Sequence, residues 1–249
     1  MKLQVFLSPG ELSPGSVLGY VVAVIDVLRA STSIATALAN GAKSIVPVES
    51  ADLAIIHSKQ FERSEVLLAG EQKMQPMSGF DLGNSPEEFT REVVGGRTIM
   101  MTTTNGTRAL TGLIGARDVV VASYVNHAAV AAMLGTAVRA DTDVAIVCAG
   151  DEGHFSLEDA ACAGRYVRSL SQRDRSSVVL NDAACACEII DRKYGDNIAK
   201  IFRDSSHGKA LAEAGFGADL AFCAAVDSQP VVPIYQDRQI TRLGPDRER

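Results

Sequence analysis

The run Val21-Val22-Ala23-Val24-Ile25 constrains this chain more than any other stretch, because each of its positions is apolar and all but Ala23 are β-branched. A strand with one wet face alternates apolar and polar residues, so a run without alternation has to be covered on both faces. Ser44 to Val48, Val66 to Ala69, Thr98 to Met101, Asp118 to Ala122 and Asp143 to Cys148 repeat the theme. Several stretches between them read as helices. Ser31 to Asn40 ends in the C-cap pair Asn40-Gly41, and Ser50-Ala51-Asp52 starts another. Pro86 to Glu92 has Ser85 as N-cap with Pro86 at the first position and Glu88 at the third. Asn126 to Arg139 is Ala-rich, and Ser156 caps a helix to about Leu170 with Glu158 and Asp159 at its second and third positions. Strands alternating with crossovers in this way predict an α/β fold, a mainly parallel β-sheet flanked by helices in three layers (α/β/α).

Beyond residue 175 the pattern changes. Asn181 to Ser205 and Ser206 to Ala225 read as mostly helical, and Pro230 to Tyr235 as a last strand with proline at a sheet edge. A single compact catalytic unit over 1–249 is expected, with an α/β core over 1–175 and a mostly helical C-terminal segment over 176–249 packed on it. Gln72 to Ser85 reads as loop from its Gly, Pro, Ser and Met content, and long connections in compact domains usually carry function.

A chain of 249 residues that is 47% apolar can bury a core well beyond marginal size. Its net charge of -6 argues against nucleic acid or an anionic membrane surface as the main partner. No apolar run approaches the roughly 18 residues of a membrane span. Met1 to Gly10 lacks the charged-then-apolar layout of a signal peptide, so the expected location is cytoplasmic. Five cysteines, with Cys185 and Cys187 one residue apart, suit neither a disulfide framework nor a zinc knuckle and read as reduced thiols. A homo-oligomer is compatible with all of this and required by none of it.

In open parallel sheets, ligands sit beyond the carboxyl ends of the strands. The residues that follow the apolar runs are Asp26 and Arg29, Glu49, Glu71, Thr103 to Arg108, Ser123 and Asn126, and Gly150 with Glu158 and Asp159. The stretch Thr102-Thr103-Thr104-Asn105-Gly106-Thr107-Arg108 leads from a strand into a helix-like segment at Ala109-Leu110. A strand that stops, turns at Asn105-Gly106 and enters a helix leaves amide donors at the positive end of a helix dipole, a seat for an anion. Thr103, Thr104, Asn105, Gly106, Thr107, Arg108, Ser123 and Asn126 are therefore substrate-binding candidates. The same stretch also reads as a Thr/Asn cap before a surface Arg, and Glu158 and Asp159 also read as charges that complement a helix dipole.

Carboxylates from separate strand ends, namely Asp26, Glu71, Glu158 and Asp159, suit Mg²⁺, which prefers oxygen ligands and often bridges to a substrate phosphate. Zinc fits less well, because the four histidines are scattered. His154, near Glu158, is a candidate to protonate a leaving group or a merely solvated side chain, whereas His57, His127 and His207 have no pattern around them. GxxxxGK[ST], GxGxxG and GxSxG are all absent. These residues indicate metal-assisted chemistry on a small anion, with Asp26, Arg29, Glu71 and Asp159 as catalytic candidates. A protein that binds a small sulfonate or phosphate without hydrolysing it is the alternative.

Ile25-Asp26-Val27-Leu28-Arg29-Ala30-Ser31-Thr32, Gly79-Phe80-Asp81-Leu82-Gly83-Asn84-Ser85-Pro86, Thr102-Thr103-Thr104-Asn105-Gly106-Thr107-Arg108-Ala109-Leu110 and Cys148-Ala149-Gly150 with Phe155-Ser156-Leu157-Glu158-Asp159 resemble the blocks of the 2-phosphosulfolactate phosphatase family. So do Ser206-His207-Gly208, Gly217-Ala218-Asp219-Leu220 and Val231-Val232-Pro233 near the end of the chain. The resemblance implies an α/β protein that uses Mg²⁺ to hydrolyse (R)-2-phospho-3-sulfolactate to sulfolactate and phosphate, a step in coenzyme M synthesis. It also brings a departure. Basic residues are expected soon after the Gly-Glu pair, where this chain has Gly70-Glu71-Gln72-Lys73-Met74 and Lys73 alone can stand in. On this basis Asp26 and Glu71, with one or both of Glu158 and Asp159, hold Mg²⁺, the amides at Asn105 to Thr107 with Arg108 bind phosphate or sulfonate, and Arg29 stabilises the transition state. Direct attack by water is favoured over an aspartyl-phosphate on Asp26, since Leu28 stands where a DxD pair needs its second acid.

Overall fold

The structure, a computed structural model, describes residues 1–103, 109–110, 112–172 and 178–244. Its strands are Lys2–Phe6 (β1), Val21–Ile25 (β2), Ser44–Pro47 (β3), Val66–Gln72 (β4), Gln75–Pro76 (β5), Thr98–Thr102 (β6), Asp118–Ala122 (β7), Val144–Cys148 (β8), Val179–Leu180 (β9), Pro233–Gln236 (β10) and Gln239–Arg242 (β11). The helices among the described residues are Ala30–Ala39 (α1), Ala51–Ser58 (α2), Arg91–Val94 (α3), His127–Arg139 (α4), Leu157–Ser171 (α5), Asp182–Tyr194 (α6), Ile198–Asp204 (α7), Ser206–Glu213 (α8) and Gly217–Cys223 (α9).

All strands join one sheet in the order β5-β4-β6-β3-β11-β10-β7-β2-β8-β1-β9. It consists of two parallel blocks, β4-β6-β3 and β7-β2-β8-β1-β9. Between them lies the antiparallel hairpin β10-β11, whose outer partners are β7 and β3. The chain is thus α/β with a mostly parallel, mixed sheet flanked by helices, and several helices follow in its C-terminal part.

One expectation is corrected here: the late proline-containing strand is interior, not at an edge. It is tolerated because Pro233 opens β10, and the registered pairs with β7 begin only at Ile234. β1 is a strand that no continuous apolar run marks: its burial alternates, with Leu3 and Val5 inside, unlike that of β2.

β2 is buried at all of its positions. Val21, Ala23 and Ile25 pack into one core with Val130, Leu134, Tyr166 and Val167 of α4 and α5. Val22 and Val24 face the opposite core with Ile34 and Leu38 of α1. Burying each such side chain contributes about 1.5–3 kcal/mol, so β2 forms the spine of both layers. Beyond β4, the 72–85 segment is more ordered than a plain loop. Lys73 and Met74, both at positive φ (51° and 67°), make the two-residue turn into β5. Pro86 starts only a short 3-10 turn, and the Ser85 hydroxyl caps nothing.

Candidate active site

The carboxyl ends of β2, β4 and β6 and the loop after β8 open onto a cleft of about 1100 Å³, lined among others by Asp26, Arg29, Glu71, Lys73, Thr103 and His207. Asp26 follows the last residue of β2 directly. Its backbone is gripped by Ser31, whose amide and hydroxyl donate to the Asp26 carbonyl at 2.8 and 2.7 Å. The Asp26 carboxyl is 8% exposed. Burial pushes its pKa up, the charges of Glu71 and Glu158 add to that, and His207 with the Ala30 amide pulls the other way; the balance lies at about 7.

Asp159 ties two strand ends together. One carboxylate oxygen accepts the Val27 amide at 2.9 Å and the other the Gly150 amide at 3.2 Å. Its own amide donates to Ser156 Oγ at 3.3 Å, so the predicted N-cap is present. Its carboxylate, however, braces the loops after β2 and β8 and does not merely face the helix dipole. Burial, then the charges of Asp26 and Glu158, push its pKa well up, and the two amides oppose them. Gly150 has φ +69°, and a Cβ there would stand 2.3 Å from the His154 carbonyl oxygen, so only glycine fits.

Glu158, one residue earlier, is 1% exposed and faces His207, whose Nδ1 lies 3.3 Å from Glu158 Oε1. Burial would raise the Glu158 pKa, but the imidazole's hydrogen bond and charge outweigh it and lower it. For His207, burial pushes the pKa down, while the hydrogen bond and charge of Glu158 prevail and raise it.

Arg29 is 3% exposed and pairs with Asp219, not with its sequence neighbour Asp26. Nη1 donates to Asp219 Oδ2 at 2.7 Å, Nη2 donates to the Met74 carbonyl at 2.9 Å, and the guanidinium lies 4.3 Å over the Phe216 ring. The Met74 amide donates in turn to Glu71 Oε2 at 2.9 Å. The β4-β5 turn is therefore tied to the end of β2 through Arg29 and closed on itself through Glu71.

Asp26, Arg29, Glu71 and Thr103 thus meet on the cleft wall from distant parts of the chain, while Glu158 and Asp159 stand behind it, one against His207 and the other on the Val27 and Gly150 amides. Two other candidates do not reach it. Ser123 and Asn126 are fully buried, and their polar groups serve the fold. Asn126 Oδ1 accepts the Ser123 amide at 2.8 Å, Asn126 Nδ2 donates to the carbonyls of Val121 and Val231, and Ser123 Oγ lies 2.8 Å from Thr32 Oγ1. They secure the end of β7 against the C-terminal segment. The candidates Thr104, Asn105, Gly106, Thr107 and Arg108 lie outside the described residues. His154 is exposed on a turn closed by its backbone bonds to Asp151 and is not on the cleft wall.

His207 on the cleft wall and Asp219 beside Arg29 add to the expected set. The signal was present, since Ser206-His207-Gly208 and Gly217-Ala218-Asp219-Leu220 belong to the resemblance, but nothing local in them indicates a partner. For a cation, the donors around Asp26 are hard oxygens, though among the described residues no three His, Cys, Asp or Glu side chains form a ready-made cage. The expected ligand set is not gathered as one: both Asp159 oxygens accept backbone amides and Glu158 faces His207, which leaves Asp26 and Glu71 as the carboxylates of that set on the cleft wall. Among the described residues no helix is long and apolar enough to cross a membrane. All five cysteines are free thiols, four of them buried.

The family model for 2-phosphosulpholactate phosphatase matches residues 6–238. A protein of Symbiobacterium thermophilum named "Probable 2-phosphosulfolactate phosphatase" is 41% identical over 225 residues, 90% of this chain and 95% of that one. Proteins of the same printed name from Clostridium botulinum (35% identity, 98% of this chain and 100% of that one) and Thermotoga maritima (40%, 84% and 86%) are also similar to it. Both the matched region and the shared length take in every segment that meets at the cleft, from the end of β2 to α9, and the chain belongs to the 2-phosphosulpholactate phosphatase family.

Proposed function

We propose that this protein hydrolyses (R)-2-phospho-3-sulfolactate, or a closely related phospho-hydroxyacid, to the hydroxyacid and phosphate, with Mg²⁺ as cofactor and in the cytoplasm. The observation that carries the proposal is the meeting of Asp26, Glu71, Arg29 and His207 at one cleft, with Glu158 behind His207, in a chain of this family. Acids crowded round a buried Asp26 repel one another, and a cation is what would hold Asp26 ionised at neutral pH. Asp26 and Glu71 would hold the ion, with Glu158 and Asp159 beside them. Bound there, Mg²⁺ supplies charge neutralisation at the phosphoryl oxygens and orientation of the attacking water.

The chain's own residues divide the remaining work. Arg29 directs its uncommitted N–H donors at the phosphoryl group, where charge-assisted hydrogen bonds are strongest. Lys73, on the cleft wall at the turn, meets the second anionic group of the substrate. His207, oriented through Nδ1 by Glu158, gives a proton to the leaving alkoxide oxygen, the role expected from sequence for His154. Asp159 keeps the loops after β2 and β8 in register so that Asp26 faces the cleft. Water is the favoured nucleophile.

The test is phosphate release from a panel of phospho-hydroxyacids, with EDTA and with Mg²⁺ restored. Release that EDTA stops and Mg²⁺ restores is expected. Ligand-dependent thermal stabilisation without release from any compound would mark a non-catalytic anion binder instead.

A further inference from the structure

Arg29 stands three residues from Asp26 and lines the same cleft as Glu71, so two acids lie nearby that could neutralise it. It pairs with neither. Its partner is Asp219 in the first turn of α9, and the contact is buried on both sides, each side chain being 3% exposed. The other Asp219 oxygen accepts the Ser85 hydroxyl at 2.6 Å. A single carboxylate therefore joins the end of β2, the segment before the Pro86 turn and the C-terminal helices. The Phe216 ring under the guanidinium and the Met74 carbonyl at Nη2 complete a seat with one orientation.

A buried ion pair contributes little net stability, because desolvating two charges offsets most of their attraction. What it does provide is direction. An Arg held at both Nη1 and Nη2 offers its remaining donors in a fixed plane, so less side-chain entropy is lost when an anion arrives.

We propose that Asp219 is a positioning residue, which holds the Arg29 guanidinium in one plane and away from Asp26 so that the free donors of Arg29 meet the phosphoryl group. The proposal rests on the hydrolase reading above, and it extends the working site to α9. Asp219 touches neither substrate nor reacting atoms and acts only through Arg29.

The test is a double-mutant cycle on the full-length protein with Asp219→Asn, Arg29→Ala and the pair, reading kcat/KM, melting temperature and the affinity for inorganic phosphate by calorimetry. Asp219→Asn alone is expected to lower kcat/KM 10- to 100-fold and weaken phosphate about tenfold, while adding less than a twofold loss once Arg29 is alanine. A purely structural role would lower the melting temperature and leave the two losses multiplicative. Either that outcome, or Asp219→Asn within threefold of wild type, overturns the proposal. If Asp219→Asn does not fold, Asp219→Glu carries the same comparison, since it keeps the charge and shifts the carboxylate. If the wild type releases phosphate from no substrate, the hydrolase reading falls by itself, and Asp219 is then judged on phosphate affinity alone, with equal affinity in Asp219→Asn overturning it.

Discussion

His207 Nδ1 and Glu158 Oε1 lie 3.3 Å apart, joining the first turns of two helices whose starts are separated by about fifty residues of chain. Burial alone would favour neutral imidazole, yet the hydrogen bond and charge of Glu158 raise the His207 pKa, so the imidazolium persists to higher pH than a free histidine allows.

A protonated His207 that serves as acid makes activity fall as pH rises through its pKa. Glu158→Gln removes the group that raises this pKa, so the alkaline limb of kcat is expected to move to lower pH. His207→Gln is expected to lower kcat by about 10²–10⁴-fold. A pH–rate profile of the wild type and both variants is the check, and an alkaline limb unmoved in Glu158→Gln would contradict the acid role.

Asp26 carries a stability signature of the opposite sign from a salt-bridged acid. Its folded pKa is about 7 against the ordinary carboxyl value of 3.8, so the folded state is favoured while the group is protonated, and this contribution is lost as pH rises from about 4 through 7. Asp26→Asn is therefore expected to abolish hydrolysis yet stabilise the protein in the absence of divalent cations, by up to about 4 kcal/mol above pH 7 and by little near pH 4. Urea unfolding at pH 4.5 and pH 8 in EDTA measures the difference.

Asn126 separates a structural role from a binding one. Asn126→Ala strips partners from the Ser123 amide and from the carbonyls of Val121 and Val231 in a fully buried setting. The expected cost is about 2–3 kcal/mol of stability, with KM changed less than threefold at a temperature where the variant is folded. A large rise in KM at unchanged melting temperature would return Asn126 to the substrate site.

Gly150→Ala tests the brace between β2 and β8. The new methyl group would meet the His154 carbonyl oxygen at 2.3 Å at a backbone φ that alanine avoids. A loss of about 3 kcal/mol is expected, with a lower kcat because the Gly150 amide is one of the two that Asp159 holds. Melting temperature and kcat, compared with those of Gly153→Ala, report it. Gly153 has a positive φ but open space around its Cβ position, so this control carries the backbone strain without the collision.

Much of the molecule could be read from local pattern. Continuous apolar runs located β2, β7 and β8 to within a residue, because a strand covered on both faces leaves no position for a polar side chain. Ser156 and the Asn40-Gly41 pair marked helix ends because capping is local chemistry. The placement of Asp26 and Glu71 at strand ends followed from the same periodicity. Local pattern failed where a residue's use depends on a distant partner. Ser123 and Asn126 follow a strand as ligand-binding residues do, yet their partners include Thr32 and Val231, and those bonds are internal.

The chain's own order of residues determined the alternation of strands and helices, the acids and Arg29 just beyond strand ends, and the family. Folding in three dimensions decided which of those groups pair. Arg29 takes Asp219, 190 positions away, instead of Asp26, and His207 joins Glu158 although neither stands in a motif that names the other. It also decided that the last hairpin lies between the two parallel blocks and not at their edge. The reason is physical: periodicity and capping act within a few residues, whereas the burial of a charge depends on whatever the whole fold brings within about 3 Å of it.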